Sequence, residues 1–153
     1  MEDVKRILVV SRMEKDSLKA LHYGIAMARN LGAELFVMHA VFNPFGLEGW
    51  SLPVPNVAEE YKKLLENTKQ QLHDMIASEK KNGMKINEIV VNGEPTKEIL
   101  KTARENNIDL IVLAGHSEGR LEHMLFGGST EDLVRKLPCS IFLVKKEPEP
   151  VAF

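Results

Sequence analysis

Apolar and polar positions fall into blocks along this chain, and the blocks change period. "RILVVS" (Arg6–Ser11) is a continuous, β-branched apolar run, the pattern of a strand covered on both faces. Leu18, Leu21, Ile25 and Ala28 then recur at helical spacing, with Asp16 placed to cap the helix and Gly32 to end it. "ELFVMHAV" (Glu34–Val41) reads as a second buried strand. "FNPFGLEGWSLPVPN" (Phe42–Asn56) is broken by Pro44, Gly46, Gly49, Pro53 and Pro55 and reads as a loop. A long helix follows. One side carries Val57, Tyr61, Leu64, Thr68, Leu72, Met75 and Ile76; the other carries Glu59, Lys62, Lys63, Glu66 and Lys69, a solvated face. Asn82–Gly83 stops it. "INEIVV" (Ile86–Val91) is the third strand. Pro95 suits the first turn of a helix bearing Ile99, Leu100 and Ala103. "DLIVLA" (Asp109–Ala114) is the fourth strand and "SIFLVK" (Ser140–Lys145) the fifth. Between them a helix starts near Gly128–Ser129, with Glu131 and Asp132 in its first turn and Arg135 and Lys136 in its last, and Pro138 ends it.

Strands alternate with helices throughout. That order predicts an α/β fold: an open parallel sheet with helices on both faces. The 153 residues suit one domain, here residues 1–146, with residues 147–153 as a loose tail. No internal repeat or low-complexity segment is present.

Charge narrows the function. Twenty Lys and Arg against 22 Asp and Glu leave a formal charge of -2, so no basic footprint for nucleic acid is expected. The single cysteine, Cys139, excludes an internal disulfide and fits a reducing compartment, so a cytoplasmic location is expected. Its neighbours Leu137, Pro138 and Ile141 mark it as a packing group, not a nucleophile. "MEDVKRILVV" lacks the long apolar stretch of a signal peptide, and no segment is long and apolar enough to span a bilayer, so no membrane role is expected.

In an open parallel sheet, ligands sit beyond the carboxyl ends of the strands, where the strand order reverses. Those ends are Ser11–Arg12, Ala40–Val41, Asn92–Gly93, Gly115–Gly119 and the segment after Val144. Gly127, Gly128, Ser129 and Thr130 give the strongest local signal. Two glycines let backbone N–H groups approach an anion, and the helix dipole helps hold it. Ser129 acting only as a helix cap is the plainer reading. No G-x-x-x-x-G-K-[ST] pattern places a lysine on outer phosphates. A receiver domain would need acidic residues where Arg12 stands. His22, His39, His73, His116 and His123 show no metal-ligand spacing, and His39 reads as a hydrogen-bonded core group. "HSE" (His116–Glu118) has the residue types of a catalytic triad, but triads assemble from separated segments. No catalytic residue is therefore assigned, and a small hydrolase built on His116 and Ser117 stays the remote alternative.

The order and spacing of several segments resemble the universal stress protein family over almost the whole chain. They are "ILVV", "FVMHAV", "VVNGEPTKEIL" and "DLIVLAGHSEGRLEHMLFGGSTEDLVRKLPCSIFLV". The resemblance implies a five-stranded sheet in the order 3-2-1-4-5, Rossmann-like and of the adenine nucleotide α-hydrolase-like kind. It also implies one of two classes: one binds ATP through a G-x2-G-x9-G-[ST] motif, and the other lacks the motif and ATP.

This sequence departs from the motif in two places. Counting back from Gly128–Ser129, the first motif glycine falls on Gly115 but the second falls on Glu118. The family's aspartate after the first strand aligns with Arg12. With strands one and four adjacent at the switch point, Arg12 and Glu118 would leave neighbouring strand ends, where a bidentate pair could fill the ligand's space. Two independent solvated charges, or Arg12 reaching a phosphate with Glu118 turned away, are the other readings.

The expectation is a dimeric stress-response regulatory module, not an enzyme, that binds ATP weakly or not at all and could engage a further protein partner. The alternative is a competent ATP or AMP sensor. Any nucleotide site would comprise Arg12, Ala40, Gly115, Glu118, Gly127, Gly128, Ser129 and Thr130. Strand five falls on a sheet edge, and Ile141, Phe142, Leu143 and Val144 carry no charge to protect it, so a two-fold homodimer through that edge is expected. The resemblance implies the same interface.

Overall fold

The apolar run that opens the chain forms β1 (Arg6–Ser11) at the centre of the sheet. It is followed by α1 (Lys15–Leu31), β2 (Glu34–Ala40), α2 (Pro55–Lys81), β3 (Ile86–Val91), α3 (Pro95–Glu105), β4 (Leu110–Ala114) and β5 (Ser140–Val144). This computed structural model describes residues 3–11, 15–40, 55–91, 94–114 and 134–144. Residues 134–136 are helical just before β5.

All five strands are parallel and lie in the order β3-β2-β1-β4-β5. The strand alternation divides the interior in two. Ile7 and Val9 of β1, with Leu35 and Val37 of β2, pack under Leu21 and Ile25 of α1 and Leu72 and Ile76 of α2. Leu8 and Val10, with Phe36 and Met38, pack on the opposite face against Ile99, Leu100 and Ala103 of α3. A strand sandwiched this way must be apolar at every position, which is why β1 and β4 read as unbroken apolar runs.

Helix stops follow the local chemistry. Gly32 (φ 65°) and Gly83 (φ 91°) both take the left-handed conformation that glycine enters without steric penalty. Three boundaries differ by a residue or so from the sequence expectation. α1 begins at Lys15, so Asp16 lies inside its first turn and not at the cap. α2 begins at Pro55, whose fixed φ suits a first helical position. Asp109 lies outside β4, and its carboxylate Oδ2 accepts the backbone N–H groups of Lys5 and Arg6, each at 2.9 Å. Arg29 of α1, itself largely exposed, meets the mostly covered Glu79 of α2 at 2.6 Å.

Candidate functional site

β1 and β4 diverge at their carboxyl ends. Their ladder runs only from Ile7–Leu110 to Val9–Val112, two residues short of either strand's end. Beyond that point β1 continues alongside β2 as far as Ser11–His39, while β4 continues alongside β5 as far as Ala114–Val144. The two middle strands therefore open a crevice where the strand order reverses, the position at which open α/β sheets hold their ligands. Ser11 is wholly buried at one lip and Ala114 is half-buried at the other.

The sequence places Arg12 directly after the first lip and Gly115 directly after the second. Ala40 ends β2, one residue beyond the Ser11–His39 pair. Arg12, Gly115, Glu118, Gly127, Gly128, Ser129 and Thr130 lie outside the described residues, as do His116, Ser117 and the tail 147–153. The fold thus brings the segments bearing Arg12 and Gly115 to adjacent strand ends, and the pairing of Arg12 with Glu118 is a matter of sequence position alone.

A second concave region lies away from that crevice, between α2 and the β2–β3 edge. It has a volume of about 330 Å³ and is lined by His39, Glu66, Lys69, Gln70, His73, Glu88 and Val90. It exists because α2 leaves the end of β3 uncovered: Val90 is 67% exposed, although it shares a face with buried Ile86. His39 is only 5% exposed. Its Nε2 stands 3.5 Å from Glu88 Oε2, while Glu88 Oε1 meets Lys80 Nζ at 3.3 Å. His39 Nδ1 is buried with no hydrogen-bond partner among the described residues. The expectation of a hydrogen-bonded core histidine is thus half right. Burial pushes its pKa below the ordinary value of 6.5, and Lys69 adds to this while Glu88 opposes it. The imidazole is therefore neutral near pH 7, and the carboxylate beside Nε2 favours the proton there. Sequence reading did not single out Glu88. Its signal was parity, since a carboxylate two residues after Ile86 must point toward the same helix-covered face.

Cys139 is half-buried against the α3-side core, and burial raises its thiol to about 11, which keeps it protonated and unreactive. Among the described residues no group of three or more His, Cys, Asp or Glu is placed to hold a metal ion. No described helix is long and apolar enough to cross a membrane.

At the far edge, β5 pairs with β4 alone among the described residues. Phe142 is 36% and Leu143 54% exposed. The Phe142 ring lies 5.8 Å from that of Tyr23 of α1. Val144 does not belong with them. It lies on the same face as Phe142 but is 3% exposed, packed into the core under α1. Ile141 is half-buried against the opposite face.

Comparison with known proteins agrees with this architecture. The sequence profile of the Universal stress protein family matches residues 3–145. Universal stress protein YxiE of Bacillus subtilis is 31% identical over 142 residues, covering 84% of this chain and 90% of that protein. Universal stress protein MJ0577 of Methanocaldococcus jannaschii is 32% identical over 91 residues, which span 60% of this chain and only 52% of that protein. In structure MJ0577 superposes with a TM-score of 0.60 at 26% identity, covering 97% of this chain and 100% of the other. A universal stress protein crystallised in complex with cAMP superposes with a TM-score of 0.60 at 20% identity, covering 94% and 98%.

Proposed function

Because the chain belongs to the universal stress protein family, we propose that it is a non-catalytic, dimeric regulatory module whose ancestral nucleotide crevice has lost most of its affinity for ATP. The observation that carries this reading is the opening between β1 and β4, with Arg12 following one lip and the Gly115–Glu118 segment following the other. An arginine stands where the family's ATP-binding class has an aspartate, and a carboxylate stands where it has a glycine. A carboxylate 4 Å from a phosphate at an effective dielectric near 20 costs about 4 kcal/mol, enough to remove most of a micromolar affinity. A bidentate pair between Arg12 and Glu118 would fill the crevice from within.

A competent adenine-nucleotide sensor is the second reading. Gly115, Gly127, Gly128, Ser129 and Thr130 are all retained, and the cAMP complex of a structural relative supports an adenine nucleotide as the ligand to test. Denaturing mass spectrometry of the freshly purified protein separates the two. The first reading expects no stoichiometric nucleotide; one equivalent of ATP or AMP released on denaturation overturns it.

A further inference from the structure

We propose that the cavity between α2 and the β2–β3 edge binds a free α-amino acid with an apolar side chain. Glu66 and Lys69 hold its two charges, and its side chain lies over His39 and Val90.

The cavity has a floor and a wall. The floor is made by two register partners, His39 of β2 and Val90 of β3. The wall is a single stripe of α2, Glu66, Lys69, Gln70 and His73, at the three- and four-residue spacing that puts side chains on one helix face. A volume of about 330 Å³ is at the small end of ligand pockets and suits a molecule of amino-acid size.

The polar groups of the lining are not equally available. Gln70 Nε2 donates to Asp74 at 2.8 Å, and Glu88 is engaged by Lys80. Glu66 and Lys69 are left over. Both are exposed, and they form no ion pair with each other or with any other described residue. Glu94 and Lys97, at the start of α3, have the same spacing and do pair, at 3.2 Å. The Lys69 ammonium is near enough to His39 to oppose its protonation, so it overhangs the floor. The imidazole itself is neutral near pH 7 and adds no charge.

A carboxylate and an ammonium one helical turn apart, above an exposed apolar side chain, are complementary to one kind of small molecule. It carries an ammonium and a carboxylate on a single carbon, and an apolar group beside them. Covering Val90, which is 67% exposed, supplies the hydrophobic part of the affinity. A polyanion fits poorly, because Glu66 offsets the one unpaired cation of the lining. This site is separate from the crevice between β1 and β4, and its occupancy does not depend on whether ATP binds there.

The test is heteronuclear NMR of the full chain at about pH 7, titrated with L-leucine to about 10 mM. L-Leucine is expected to shift the His39, His73 and Val90 signals together, with a dissociation constant below about 1 mM. Isocaproate lacks only the amino group of leucine, and isoamylamine lacks only its carboxylate. Each is expected to bind at least about tenfold more weakly than leucine. Glu66→Gln and Lys69→Gln alter exposed side chains, so both are expected to keep the wild-type melting temperature while each loses about tenfold or more in affinity. Three results overturn the proposal. The first is no saturable shift of His39 and Val90 with leucine. The second is isocaproate or isoamylamine binding as tightly as leucine. The third is wild-type affinity in either variant.

Discussion

Gly24 of α1 lies so close to Val9 of β1 that a Cβ at position 24 would stand 2.2 Å from Val9 Cγ2. The contact sets how tightly α1 seats on the central strand, and Val9 is fully buried with nowhere to retreat. Gly24→Ala gains about 1 kcal/mol of helix propensity. Overpacking a closed core costs about 1–3 kcal/mol, and here it wins, because the overlap is with a β-branched side chain. Urea denaturation is expected to show net destabilisation. In a Val9→Ala background the same substitution is expected to cost much less, which would identify the contact as the cause.

Asp109 joins the amino ends of β4 and β1 by accepting two backbone N–H groups on one oxygen, while its own N–H donates to the Arg6 carbonyl at 2.9 Å. Asp109→Ala strands two donors and is expected to cost about 1–2 kcal/mol. Asp109→Asn keeps an acceptor oxygen and is expected to cost less than half as much. Equal losses in thermal melts would contradict this account.

Much of this was legible in the sequence, and the reasons are specific. β1 and β4 are buried on both faces, so each shows an unbroken apolar run. Gly32 and Gly83 stop helices because their conformations need glycine. Gly24 was not legible: it sits inside a helical pattern, and its need for a missing side chain arises only when α1 meets Val9. The second cavity was hidden for a similar reason. His39, Lys69 and Glu88 come from three separate elements, and each taken alone looks like an ordinary core histidine or surface charge. Val144 was grouped with the exposed edge because "SIFLV" is apolar throughout; it shares a face with exposed Phe142, and only its packing under α1 buries it.

Acid should weaken the fold in two steps. His39 is held below its ordinary 6.5, chiefly by burial, so the unfolded chain binds its proton first. Its contribution is fully present above about pH 6.5 and declines below that until the folded ring itself titrates. Glu34 is held below 4.5, first by its hydrogen bond with Lys85 and then by that with Asn87, so its contribution is present above pH 4.5 and is lost as pH falls further. Stability measured by urea melts is expected to fall across both windows. His39→Gln should remove the upper step and Asn87→Ala should shrink the lower one.

The β5 edge offers a direct test of assembly. Phe142 and Leu143 are the exposed apolar residues of that strand, so Phe142→Lys with Leu143→Lys places charge on the edge without disturbing buried Val144. Light scattering is expected to show a wild-type dimer at tens of micromolar and a monomeric double variant. A wild-type monomer, or a variant that remains fully dimeric, contradicts pairing through β5.

The claim at the centre of this account is that Arg12 and Glu118 disable a nucleotide crevice that the rest of the chain still outlines. Calorimetric titration of ATP into the wild type and into Arg12→Asp with Glu118→Gly tests it most directly. The account predicts wild-type binding weaker than about 100 μM and a gain of about tenfold or more in the double variant. The double change also avoids leaving one charge of a pair without its partner. Low-micromolar affinity in the wild type, or a folded double variant that gains none, would contradict it.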